Sequence, residues 1–146
     1  MDRIEKVILR NLVFNEEYLR KVLPFIEPEY FSDRNERVVF EHIAKYTSEY
    51  NTLITKEILL IEIEDRRDVS QNEVKSINET INDLQDIECD IEWLSNTTEK
   101  WCRDRAIYLA LMESIKIADG QDDKKNRDAI PSILSDALSV SFNRNV

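Results

Sequence analysis

The chain has 146 residues, 42% of them apolar and 34% charged, which is enough apolar content for one ordinary core and too much for a disordered chain. Its single glycine, Gly120, stands where average usage predicts about ten, and this excludes phosphate loops and dinucleotide folds, whose backbones need several glycines to approach phosphate. The net charge is −10, and residues 51–100 carry 13 acidic against 5 basic side chains, which repels a phosphate backbone and makes that surface a poor autonomous DNA-binding module.

No apolar run reaches the roughly 18 residues a membrane span needs, and no signal peptide opens the chain, so a soluble cytoplasmic protein is expected. Cys89 and Cys102 lie in helical sequence without a CxxC pair, and His42 is the sole histidine, so both thiols are expected to be reduced and structural and no metal is expected. Gly120 and three prolines are the strong breakers, which predicts an all-α fold.

In chain order, Ile4, Val7, Ile8 and Leu12 define a first short helix ending near Phe14. Asn15 caps a second, with Glu16 and Glu17 in its first turn, Leu19, Val22 and Leu23 on its apolar face, and Pro24 at its end. The turn Pro28-Glu29-Tyr30-Phe31 follows, its aromatics most simply a core plug. Asp33 with Glu36 reads as a capping-box variant opening a helix to Tyr50, which turns Val39, Phe40, Ile43 and either Ala44 or Tyr46 inward. His42 lies on this helix with no catalytic signature around it. Thr55 caps a fourth helix to about Asp65, and the cluster Glu62 to Asp68 reads as a solvated helix end.

Ser70 and Glu73 form a capping box opening a helix with the narrow stripe Val74, Ile77, Ile81 and Leu84, suited to one partner. From Asp90, Ile91, Leu94, Thr98, Trp101, Arg105, Tyr108, Met112 and Ile115 alternate three and four residues apart, a coiled-coil-like seam. Thirty helical residues span about 45 Å, against roughly 35 Å for a globule of about 120 residues, so 71–88 and 90–119 are expected to project as an antiparallel hairpin. Ile91, Leu94, Trp101, Tyr108 and Met112 then serve either intramolecular packing or a subunit interface. Gly120 closes this helix before a polar linker. Beyond it Asp128 caps, and Pro131 begins, an amphipathic helix to Phe142 whose face is Ile130, Ile133, Leu134, Leu138 and Phe142, expected to dock outside its own domain. The expected organisation is a helical head at 1–68, a hairpin at 69–120, a linker at 121–128 and a docking segment at 129–146.

The helix at 4–9, the run Leu23-Pro24-Phe25-Ile26-Glu27-Pro28-Glu29-Tyr30-Phe31, the helix containing Val39-Phe40-Glu41-His42-Ile43, and Thr55-Lys56-Glu57-Ile58-Leu59 together resemble the N-terminal domain of DnaB-type replicative helicases. Within that family the likeness is to the helicase subunit of the helicase-primase of T-even-type bacteriophages. It is sharpest over residues 4–62, while 71–119 resemble the family's hairpin in architecture and 129–146 its linker helix.

The resemblance implies a non-catalytic collar of an oligomer in the primosome. Its hairpins would pair into dimers, dimers would form a hexameric ring, the collar would recruit primase, and the linker helix would dock on the neighbouring subunit's ATPase domain. ATP, Mg and 5'-3' DNA unwinding would belong to an ATPase domain outside this sequence. Two alternatives stand beside it: a helical DNA-binding regulator using Arg34, Arg37 or Arg66 and Arg67, and a phage scaffold protein. In the first, basic residues should gather along a recognition helix, yet each of these arginines has an acidic neighbour within three positions.

Overall fold

With so few backbone breakers, capping side chains decide where each helix starts. The computed structural model describes residues 3–121 and 125–142, and among these it contains seven α-helices and no strand. They are α1 (Ile4–Phe14), α2 (Glu16–Val22), α3 (Arg34–Tyr50), α4 (Lys56–Glu64), α5 (Gln71–Asn82), α6 (Ile91–Ala118) and α7 (Ile130–Leu138), with 3-10 turns at Leu23–Phe25, Pro28–Tyr30 and Arg127–Ala129. The fold is therefore all-α, as expected. Positions 122–124 of the predicted linker and 143–146 of the predicted docking segment lie outside the described residues. The chain divides into two compact units, one through Ser95 and one from Asn96.

In the first unit, Asn15 accepts from the Tyr18 amide at 3.0 Å to start α2, Asp33 from the Glu36 amide at 3.2 Å to start α3, and Thr55 from the Ile58 amide at 3.2 Å to start α4. Ser70 and Glu73 close a full capping box on α5. The box expected of Asp33 and Glu36 forms only by half, because the Glu36 carboxylate turns instead to the Arg3 guanidinium at 2.6 Å. α3 ends on Asn51, left-handed at φ 53°, where Arg20 donates to its side-chain and backbone oxygens at 3.0 Å each. Ile8, Leu9, Leu12, Leu19, Phe31, Phe40, Ile43, Leu59 and Ile63 form the core, each contributing about 1.5–3 kcal/mol on burial. Tyr30 is buried as well, and the Phe31 and Phe40 rings lie 5.3 Å apart, so the aromatic turn does plug the core.

α5 packs against both α3 and α4 and buries Ile77 and Ile81. Polar contacts hold it as well: Asn35 donates to Ser76 at 2.7 Å, Arg34 pairs with Glu73, and Lys6 pairs with Asp83 just beyond its end. A narrow stripe suits a helix with one partner. The helix instead has two partners, because its polar flanks bond to α3 as its apolar edge goes inward.

The second unit holds most of α6, and α7. Gly120, at φ 73°, closes α6 with its amide on the Ile117 carbonyl at 3.1 Å and the Gln121 amide on the Lys116 carbonyl at 2.9 Å, the predicted left-handed helix end. α7 differs from its prediction. Asn126 rather than Asp128 supplies the capping oxygen, accepting from the Asp128 amide at 3.0 Å in the preceding 3-10 turn. Pro131 sits in the first turn as expected, but the helix stops at Leu138, short of Phe142. There the Ser139 hydroxyl bonds back to the Asp136 carbonyl at 2.8 Å, a local alternative to helix continuation.

Candidate protein-interaction surface

Among the described residues no three His, Cys, Asp or Glu side chains gather as a metal site, and no helix is long and apolar enough to cross a membrane. His42, the one histidine, has a structural setting. Its Nδ1 is 3.1 Å from Glu62 Oε1 and its Nε2 is 3.2 Å from an Arg66 guanidinium nitrogen. A guanidinium only donates, so the Arg66 contact sets Nε2 as the acceptor and leaves Nδ1 facing the Glu62 carboxylate. Arg66 also bonds Asp68 at 2.6 Å and reaches Glu41 at 3.8 Å. The hydrogen bond from Arg66, with burial opposing it, holds the Asp68 carboxyl below its usual value. The predicted solvated helix end is thus in part a junction joining α3 to the end of α4.

The large uncovered apolar side chains of the second unit concentrate on α6. Tyr108, Leu111, Met112 and Ile115, at i, i+3, i+4 and i+7, are between 42% and 54% exposed, and that spacing places them on one helix face. Arg105 lies over the Tyr108 ring, 4.8 Å from its centroid, a cation–π contact that stiffens the start of the stripe. Ala110, Ser114 and Ile117 are buried and mark another face. Of the five predicted interface residues, Tyr108 and Met112 lie on the uncovered stripe. Leu94 and Trp101 are buried and Ile91 is half-buried. Leu111 was missed because a strict three-four alternation skips it, although its position three residues after Tyr108 was a usable signal.

α7 is seated on α6. The Arg103 guanidinium donates to the Val140 carbonyl at 3.0 Å, and the Glu99 carboxylate accepts from the Phe142 amide, while Ala137 is buried. Of the predicted docking residues, Ile130, Ile133, Leu134 and Phe142 are half-buried and Leu138 is 64% exposed. After the helix, the Val140 carbonyl and the Phe142 amide both find partners on α6.

These features define a class: an all-α chain that leaves four large apolar side chains uncovered along one face of a helix. No family model matches the sequence. The chain is similar to the DnaB-like replicative helicase of Enterobacteria phage T4, with 30% identity over 149 residues, an alignment that takes in 97% of this chain and 31% of that protein. It therefore spans about a third of that relative's length. The likeness to DnaB-type replicative helicases carried by the Pro-Glu-Tyr-Phe turn and its flanking helices is present across nearly the whole sequence.

Proposed function

We propose that this chain is the non-catalytic collar of a phage replicative DNA helicase, which assembles copies of itself toward a ring and recruits primase during DNA replication in the cytoplasm of the bacterial host. The observation that carries this reading is the uncovered stripe Tyr108, Leu111, Met112 and Ile115 in a chain similar to a replicative helicase. At half exposure each such side chain stands to gain about 1 kcal/mol when a partner covers it, and contiguous patches of this kind mark protein interfaces. ATP and Mg belong, in this reading, to the ATPase domain of the whole helicase. Leu138, the most exposed of the α7 residues, would lead the docking of that helix on a neighbouring subunit's ATPase domain.

A regulator that binds DNA is less well supported, since Arg34 is engaged by Glu73, Arg66 by Asp68 and Arg37 by the Phe31 carbonyl. Sedimentation of the 146-residue chain tests the collar. Leu111→Glu and Met112→Glu place a carboxylate on the stripe, where burial without a partner costs several kcal/mol, so both should lower the assembly state while circular dichroism stays unchanged. Wild-type oligomers from both variants would overturn the reading. Trp101→Glu is unsuitable, because that side chain is buried and the variant would unfold the second unit.

A further inference from the structure

The connection from α5 to α6 carries a different uncovered feature, within the first unit. Residues 83–92 hold five acidic side chains, Asp83, Asp86, Glu88, Asp90 and Glu92, and no basic one. Two large exposed apolar side chains accompany them, Ile87 within the run at 44% and Trp93 directly after it at 55% exposure. An exposed tryptophan at a helix start is a natural anchor, since tryptophan leads the residues that dominate binding energy at interfaces.

The segment is anchored at both ends. At its base the Lys56 ammonium donates to the carbonyls of Asn82 at 3.0 Å and Leu84 at 2.7 Å, the Leu84 side chain is buried, and Asp83 pairs with Lys6. At its far end Asp90 accepts from the Trp93 amide at 3.0 Å and so caps α6. Asp86, Glu88 and Glu92 are exposed, and no described residue forms an ion pair with them. The bonds at both ends hold the backbone of the connection before any partner arrives, which lowers the entropic cost of binding.

We infer that 83–93 docks a basic amphipathic helix of another protein. Trp93 and Ile87 receive its apolar side chains, and Asp86, Glu88 and Glu92 face its lysines and arginines. Charge selects this occupant. A second copy of the chain brings a net charge of −10 and the same acidic segment, and both nucleic acid and an anionic membrane surface are repelled. The inference does not rest on the collar reading.

A synthetic leucine-lysine peptide with helical amphipathic spacing, about five turns long, is the probe, titrated into the full chain by calorimetry. Saturable one-to-one binding is expected, weakened about tenfold by Trp93→Ala and about tenfold by the combination Asp86→Asn, Glu88→Gln, Glu92→Gln, and weakened by added salt. A leucine-glutamate peptide of the same spacing should not bind, and Leu111→Glu should leave the affinity unchanged. No binding, affinity indifferent to Trp93→Ala, or loss of binding in Leu111→Glu would each overturn the inference. So would a lowered assembly state of Trp93→Ala in sedimentation, which would make the occupant a second copy. All the substituted side chains of the segment are exposed, so unaltered circular dichroism is the control for folding.

Discussion

At Glu36 a carboxylate with 5% of its side chain exposed holds the Arg3 guanidinium at 2.6 Å, while its other oxygen, Oε1, meets no hydrogen-bond donor among the described residues. Burial raises the Glu36 carboxyl above its ordinary value; Arg3 opposes the rise, and Asp33 and Glu5 add to it. The folded chain therefore binds this proton more tightly than the unfolded chain does. The resulting contribution to stability is complete below the ordinary value of 4.5 and is lost as pH climbs through the raised one. Glu36→Gln copies the protonated acid. In urea unfolding, the stability difference between wild type and variant should move in the variant's favour from about pH 4 to about pH 7, and a difference that does not change with pH would contradict this account.

Among the helices, the ends were the most legible feature in the sequence. Asn15, Asp33, Thr55 and Ser70 all start the helices that their residue types announce, because a cap is a bond within three residues. Gly120 was legible for the same reason, and it gives a clean test: a Cβ built there meets nothing within 4 Å, so Gly120→Ala is penalised by the left-handed backbone alone. It should cost about 1–2 kcal/mol in thermal unfolding, with Gly120→Asn costing less, and equal stability of all three would show that α6 does not need this ending. Side-chain partners across the fold were less legible. The stripe on α5 gave its inward edge but not that Asn35, Arg34 and Lys6 would hold its polar flanks. The heptad seam gave one face of α6 but could not say that Leu94 and Trp101 are covered where Tyr108 and Met112 are not, since periodicity records orientation and not what lies opposite. His42 looked inert, because Glu62 and Arg66 reach it from 20 and 24 residues away.

For the molecule as a whole, the charge of −10 sets opposite signs on the two proposed associations. Copies that meet through the apolar stripe repel one another, and screening relieves this, with a Debye length of about 10 Å at 0.1 M salt. Self-association should therefore strengthen as salt rises from about 0.02 to 0.2 M, whereas a basic helix at 83–93 should be released over the same range. Sedimentation equilibrium at a series of salt concentrations measures the first, and self-association that weakens with salt would show that charge pairing rather than the stripe holds the copies together. The distribution of aromatic and sulfur side chains also makes the molecule its own spectroscopic instrument. Of its two tryptophans and two cysteines, Trp93 and half-buried Cys89 lie in the first unit, while Trp101 and Cys102 are buried in the second. A neutral quencher such as acrylamide reaches Trp93 first, and a thiol reagent reaches Cys89 first. Quenching of Trp101 and labelling of Cys102 then wait on local opening of the second unit, so these two reporters time that opening in the unsubstituted protein, against Trp93 and Cys89 as references that are accessible throughout.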